Sequence, residues 1–256
     1  QRKVTIFGSA RTPRDAPVEP EPRAGTYQKV TQGRAAERED GHPDGGRPAQ
    51  GLQQAECPVH RSHRPGQGVG RADDQRAELV RQAKAGGQYV IVTFHAGAEG
   101  SPAVWHDNTD EEFMGENRGN TVAFSRAMID AGADLVVGHG PHVLRAAECY
   151  QGKPIVYSLG NFVGVGGLSA KNFAAVSALL EVSVSQQGDI QDINLVPLRF
   201  NEQKLPQPDP QEYGTRLVNY LGKHAHYAGT FIEFPLNGND SHDSFVAWFN
   251  ANNPRI

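Results

Sequence analysis

Three histidines follow apolar runs in the middle of the chain, and their placement is typical of a metal site. His95 ends the run VIVTFH (90–95), whereas His139 and His142 lie in the sequence GHGPH directly after the run DLVV. Imidazole nitrogens bind zinc, iron and similar metals. Because the carboxyl ends of neighbouring parallel strands meet at one edge of a sheet, side chains that follow such strands converge there. The pattern therefore predicts a site in which these three imidazoles bind a divalent metal.

Two further polar residues lie near these histidines in the sequence. Glu99 follows His95 by four residues, and Asn161 lies in the sequence YSLGNF (157–162). Two interpretations remain for Glu99: a group that hydrogen-bonds a metal ligand or a substrate, or a solvated loop acid. Asn161 is predicted to be a turn residue that holds the rim of the site, with direct substrate contact as the alternative.

The elements around the histidines have the order expected of an α/β fold. The segment DDQRAELVRQAKAGG (73–87) predicts a helix with Asp73 or Asp74 as N-cap and two glycines at its end. The continuous apolar run at 88–94 predicts a strand that is covered on both faces. A second helix at 118–133 and a second buried strand at 134–138 repeat this order, which is typical of layered α/β domains.

The remaining segments are predicted from turn residues and periodicity. Residues 96–117 form a long polar loop of the kind that binds ligands. Strands at 143–150 and 153–160 are joined by a turn at Gln151–Gly152, and 173–200 forms a strand pair with its turn at 187–189. A last helix is expected at 212–225. The end of the chain, 236–256, is expected to be a loosely docked tail.

The N-terminal segment, 1–72, is predicted to be largely irregular after a short strand at 3–8. Ordering a residue costs ~1–2 kcal/mol, and few large apolar side chains are available in 14–72 to offset that cost. The large apolar or cysteine residues in 14–72 are Val18, Tyr27, Val30, Leu52, Cys57, Val59 and Val69. Two interpretations remain: a flexible linker, or an out-of-frame translation of a GC-rich gene.

Composition excludes some classes of function and location. The chain has 29 acidic and 25 basic residues and a net charge of −4, so no global electrostatic attraction to nucleic acid is expected. No apolar stretch approaches the ~20 residues that a membrane-spanning helix needs. The start, QRKVTIFGSARTP, lacks the apolar core of a signal peptide.

A more specific signal comes from two longer strings, VIVTFHAGAEG (90–100) and RAMIDAGADLVVGHGPHVLRAAECYQGKPIVYSLGNF (126–162). Over about residues 73–235 the chain resembles the CapA-type capsule-synthesis proteins of bacteria. These are poly-γ-glutamate capsule metallophosphatases of the calcineurin-like phosphoesterase superfamily. The resemblance implies an α/β fold with a partial β-sandwich flanked by helices. It also implies association with cell-envelope synthesis.

The resemblance further implies a hydrolase with two divalent metals (Mn, Fe or Zn) and a small-molecule or polymer phosphate-type substrate. His95 and His139 would be catalytic and bind one metal, and His142 would bind the other. Two metals of this kind polarise a phosphoryl oxygen and activate water. Glu99 and Asn161 would lie on the substrate side.

The chain departs from the family in its first half. The family has a strand ending in Gly-Asp, then Asn-Leu-Glu and Asn-Asn-His motifs, and residues 14–72 contain none of the three. The alternative function is therefore a truncated or catalytically inactive member that keeps half of the dinuclear site and has a binding or assembly role. A further alternative is a generic α/β domain whose histidines are core or surface residues.

Overall fold

A computed structural model describes residues 2–6, 9–10, 28–32, 71–163, 167–186, 188–227, 229–238 and 241–253. The α-helices within these ranges are α1 Arg71–Ala85, α2 Thr121–Asp130, α3 Tyr213–Lys223 and α4 His242–Asn252. The strands are β1 Arg2–Ile6, β2 Ser9–Ala10, β3 Gln28–Gln32, β4 Val90–His95, β5 Glu111–Phe113, β6 Glu116–Gly119, β7 Leu135–His139, β8 Ala147–Tyr150, β9 Lys153–Val156, β10 Asn161–Val163, β11 Val176–Val184, β12 Ile190–Phe200, β13 Pro206–Pro208 and β14 Thr230–Phe231.

Two sheets form the centre of the fold. A six-stranded sheet has the order β14-β8-β9-β7-β4-β3, in which β4, β7 and β9 are parallel. A four-stranded antiparallel sheet has the order β1-β11-β12-β13. The sheets share one apolar core, to which β7 and β9 contribute Val137 and Val156 and the second sheet contributes Leu180 and Leu195. This arrangement is a β-sandwich.

Helices α1 and α2 cover the outer face of the six-stranded sheet. Val80 of α1 and Val122 and Met128 of α2 are buried in a second apolar cluster with Val92 and Val136 of the sheet. The alternation of side chains along a strand explains the division, since Val136 faces the helices and its neighbour Val137 faces the other sheet. The predicted α/β class and the β-sandwich flanked by helices are confirmed.

Most predicted elements are present with shifted ends. The predicted N-cap of α1 is wrong, because the helix begins at Arg71, two residues before Asp73. Both Arg71 and Ala72 have high helix propensity, so the helix extends through them. Asp73 lies in the first turn instead, where its carboxylate accepts a hydrogen bond from Arg76 at 2.6 Å. The turn at Gln151–Gly152 joins β8 and β9 as predicted, with φ of 51° and 75°.

The polar loop at 96–117 contains more structure than expected. A short 3₁₀ helix spans Ser101–Val104, and β5 and β6 form an antiparallel hairpin. Met114 and Gly115 occupy its turn with φ of 53° and 78°, values that suit a tight hairpin connection. The prediction of an extended loop was therefore wrong in its second half.

Both ends of the chain also contribute regular structure. In 236–256, expected to be a loose tail, helix α4 buries Phe245 and Phe249 in the core between the sheets, so this end is packed. In 1–72, β1 pairs with β11 and β3 pairs with β4. In addition, β2 pairs with β10, and residues 71 and 72 begin α1. The other residues of the predicted irregular segment lie outside the described residues. Among the helices that are described, none combines the length and apolar character that crossing a membrane requires.

Candidate functional site

His95 and His139 end two adjacent parallel strands in register. They are the last residues of β4 and β7 and are paired directly across the ladder. Just beyond this pair, the amide of Ala96 donates a hydrogen bond of 2.9 Å to the carbonyl of His139. Residues paired across parallel strands present their side chains on the same face of the sheet. The side chains of His95 and His139 therefore lie next to each other on one face of the sheet, as the sequence predicted.

His139 is a partly buried imidazole with a buried nitrogen. Among the described residues, its Nδ1 has no hydrogen-bond partner. Burial and, to a smaller extent, the neighbouring His95 lower the pKa of His139 to about 4. The ring is therefore neutral near pH 7, and a neutral imidazole is the form that binds metals. A buried polar atom without a partner is unfavourable by ~1–3 kcal/mol, and such atoms are found where a ligand completes the site.

His142 lies beside His95 with a fixed ring orientation. The two ring centroids are 6.0 Å apart, with planes at 71°. His142 Nδ1 lies 2.8 Å from the side-chain oxygen of Asn161, whose amide nitrogen donates to the carbonyl of Ser169 at 3.1 Å. Because that oxygen can only accept, Nδ1 of His142 carries the hydrogen, which leaves Nε2 as the nitrogen that faces Glu99. In metal-binding histidines, the ring nitrogen that does not bind the metal typically donates a hydrogen bond of this kind.

Asn161 and Ser158 are thus placed by the turn after β9. Asn161 is 1% exposed and reaches His142 rather than the solvent. Ser158 is buried, and its hydroxyl accepts a hydrogen bond from the amide of Gly160 at 3.2 Å. Asn161 is therefore hydrogen-bonded to His142, and Ser158 is hydrogen-bonded within the turn.

Glu99 is ion-paired at the edge of the site. One carboxylate oxygen accepts a hydrogen bond of 3.1 Å from Arg118, and the other lies 3.8 Å from His142 Nε2. The carbonyl of Arg118 in turn accepts a hydrogen bond from the amide of Gly97 at 3.1 Å. The sequence contains no signal for the contact of Arg118 with Glu99. This contact depends on the β5–β6 hairpin, which places Arg118 against the segment after His95.

Two glycines let the histidine-bearing segments approach closely. A Cβ on Gly138 would lie 2.2 Å from the carbonyl oxygen of Tyr157. Gly140 has a φ of 116°, and a Cβ there would lie 2.6 Å from the carbonyl oxygen of Ala96. The GHGPH sequence therefore has glycine at positions where the backbones of β7 and its neighbours leave no room for a side chain.

The three imidazoles are of a side-chain type that binds divalent metals. In the ranges given above, no group of three or more His, Cys, Asp or Glu side chains is arranged to hold a metal ion. His95 lies beside both of the other histidines, and the Nδ1 of His139 has no hydrogen-bond partner among the described residues. Between residues 11 and 70, the structure describes only 28–32.

A known protein family matches the part of the chain that contains the three histidines. The family described as "Bacterial capsule synthesis protein PGA_cap" matches residues 2–165, which include β1 as well as every site residue named above. The match begins well before residue 73, where the resemblance in the sequence begins.

Three curated relatives are similar to parts of the chain. The PGA biosynthesis protein CapA of Bacillus subtilis is 41% identical over 85 residues, 33% of this chain and 19% of the relative. The capsule biosynthesis protein CapA of Bacillus anthracis is 38% identical over 92 residues, 36% of this chain and 21% of the relative. A probable polyglutamine synthesis accessory protein of Mycobacterium tuberculosis is 33% identical over 140 residues, 52% of this chain and 33% of the relative. The chain therefore spans about a fifth to a third of the length of these relatives.

Proposed function

Because the chain belongs to the bacterial capsule synthesis protein family PGA_cap, we propose that it is a metal-dependent phosphoesterase-like hydrolase of capsule or poly-γ-glutamate synthesis. His95 and His139 would be the catalytic metal ligands, and His142 would bind a second metal. The observation that carries the proposal is the buried, unpartnered Nδ1 of His139 at the end of a strand paired in register with the one that ends in His95.

The chain's own residues would orient the reacting groups. Asn161 fixes the ring of His142 so that Nε2 faces away from the turn. Glu99 is held beside His142 by Arg118, which places a carboxylate and a guanidinium at the edge of the site. When bound, the metals (Mn, Fe or Zn) would polarise a phosphoryl oxygen and acidify water. A small-molecule or polymer phosphate substrate suits this chemistry.

The names of the relatives suggest the pathway in which this reaction would act. They concern PGA, polyglutamine and capsule biosynthesis. We extend this to the present chain as a role beside the cell-envelope synthesis machinery.

A second candidate function is a binding or assembly role without turnover. It is favoured by the described residues, which hold no complete group of metal ligands, and by the lack of Gly-Asp, Asn-Leu-Glu and Asn-Asn-His motifs in 14–72. A member of this kind would keep His95, His139 and His142 as half of a dinuclear site.

One experiment separates the two functions. The purified chain is dialysed, its metal content is measured, and hydrolysis of a chromogenic phosphodiester is followed with added Mn²⁺. The hydrolase predicts about two bound metals per chain and a rate well above that of buffer. Bound metal without hydrolysis would favour the binding role. A chain with neither metal nor rate would contradict the proposed site.

A test of the site's internal geometry uses two variants of Asn161. Asn161→Leu removes the acceptor for His142 Nδ1, and we expect Mn²⁺ affinity to fall by about 10–100-fold, as for other residues that orient metal ligands. Asn161→Asp keeps an acceptor there and is expected to retain most of the affinity. Isothermal titration with Mn²⁺ measures both. Equal losses in the two variants would show that Asn161 does not act through the His142 hydrogen bond.

A further inference from the structure

A buried ion pair lies directly beneath the segment that follows His95. Arg145 has a fully buried side chain, and the side chain of Glu111 is 9% exposed. Two guanidinium nitrogens of Arg145 bind the two carboxylate oxygens of Glu111, at 2.5 and 2.9 Å. A paired fork of this kind is the strongest and most directional of the protein ion pairs.

The pair holds the backbone on both sides of Glu99. The amide of Ala98 donates to Glu111 at 3.0 Å, and Arg145 Nε donates to the carbonyl of Ala103 at 2.7 Å. A Cβ on Gly97 would lie only 3.0 Å from Arg145 Nη1. The segment 96–103 is therefore fixed by hydrogen bonds to the pair and by close packing against it.

The pair also connects this segment to two other parts of the site. Arg145 follows His142 by three residues along the chain. Glu111 accepts a hydrogen bond of 2.9 Å from the hydroxyl of Thr121, the first residue of α2. Three separate segments thus share one buried charge pair, and a shift of either charged group would move the backbone that presents His95 and Glu99.

We propose that Arg145 and Glu111 are positioning residues that hold the segment after His95 in register with the GHGPH segment. This inference rests on the proposed function, since it concerns the metal site formed by His95, His139 and His142. A pair that served stability alone would not need hydrogen bonds to the backbone of the site. Here the hydrogen bonds of the pair include one to the amide immediately before Glu99.

The chain provides a matched control in a second buried ion pair. Arg126 of α2 and Glu148 of β8 approach to 2.5 Å, with side chains 11% and 1% exposed. The hydroxyl of Tyr157 donates to Glu148, as that of Thr121 donates to Glu111. This pair joins the helix layer to the sheet, so its disruption should cost stability without displacing the segment after His95.

The experiment compares Glu111→Gln with Glu148→Gln in the full chain. Thermal unfolding, amide hydrogen exchange of residues 95–104 without metal, and Mn²⁺ affinity are measured for each. We expect Glu111→Gln to raise exchange in 95–104 and to weaken Mn²⁺ binding by about 10–100-fold, whereas Glu148→Gln leaves affinity within about twofold of the wild type. Both variants should unfold at lower temperature. Arg145→Lys keeps the charge but loses the fork, and it should show the same pattern more weakly.

The outcomes distinguish this inference from the proposed function. If the wild type binds Mn²⁺ and the two Glu→Gln variants lose affinity equally, the pair has only a structural role. If the wild type binds no metal, the proposed function fails, and hydrogen exchange alone tests the positioning role of Arg145 and Glu111. That role would be contradicted if exchange in 95–104 were no faster in Glu111→Gln than in Glu148→Gln. If Glu111→Gln does not fold, the same comparison is made with Arg145→Lys.

Discussion

Replacing His139 by alanine is expected to abolish phosphodiester hydrolysis and to weaken Mn²⁺ binding by more than about 100-fold, beyond the loss typical of residues that only orient a ligand. His139 ends β7 opposite His95, and among the described residues its buried Nδ1 has no hydrogen-bond partner. We therefore expect no other side chain to replace it as a ligand. The variant should therefore lose a metal ligand that the rest of the site cannot replace.

His139→Ala should change the stability of the metal-free protein far less than it changes metal binding. The substitution leaves a small cavity, but it also removes a buried polar atom whose lack of a partner costs ~1–3 kcal/mol. These effects oppose each other, so the apo variant should unfold close to the wild type. Mn²⁺ at 100 times its dissociation constant should stabilise the wild type by ~2.7 kcal/mol and the variant by almost nothing.

Differential scanning fluorimetry with and without Mn²⁺ measures this contrast. His224→Ala is the matched control, because His224 is exposed at the end of α3, where its Nδ1 lies 2.8 Å from the carbonyl of Tyr220. It should keep both the metal-dependent stabilisation and the hydrolysis. If His139→Ala were stabilised by Mn²⁺ as strongly as the wild type, His139 would not be a ligand.

The part of the fold that local sequence signals encode could be predicted. The β-branched runs that became β4 and β7 have few alternatives to buried strands, and each ends in a histidine. The order of helix and strand then places those histidines at one sheet edge. Glycine in turns, as at Gly152 with its φ of 75°, likewise carries a local signal for a hairpin.

What local signals do not encode is pairing across long stretches of chain. Arg145 and Glu111 are 34 residues apart, and each on its own resembles an ordinary surface charge. Their burial follows from the β5–β6 hairpin, whose strands of three and four residues are too short and polar to show alternation. The ion pair and Arg118 were missed for the same reason.

Helix α4 differs, because its signal was present in the sequence. Phe245, Trp248 and Phe249 are spaced by three and four residues, which places them on one face of a helix. Phe249 packs against Tyr220 of α3, with ring centroids 4.4 Å apart. The ring of Phe173 also contacts those of Trp248 and Phe249, at centroid distances of 5.3 and 5.5 Å. The polar sequence GNDSHD before the helix obscured a periodicity that predicts a docked element.

The close approach of the two histidine-bearing segments leads to the second large effect, in Gly140→Ala. Gly140 has a φ of 116°, and a methyl group there would lie 2.6 Å from the carbonyl oxygen and 2.9 Å from the nitrogen of Ala96. Backbone strain at positive φ costs an L-residue ~1–2 kcal/mol, and overpacking against atoms that cannot move costs ~1–3 kcal/mol more. We expect a loss in unfolding free energy of about 2–5 kcal/mol, the sum of these terms.

Gly87→Ala separates the two causes. Gly87 also has positive φ, at 73°, but a methyl group there would meet nothing within 4 Å. It should lose only the ~1–2 kcal/mol caused by backbone strain, so the difference between the variants in urea denaturation measures the clash.

The clash would also separate Ala96 from the GHGPH segment, where the Ala96 amide donates a hydrogen bond to the carbonyl of His139. Gly140→Ala should therefore lose Mn²⁺ affinity even at temperatures where it remains folded, and Gly87→Ala should not. Equal stability of the two variants would show that the segments can move apart without cost, and the register of His95 with His139 would then not depend on a glycine at this position.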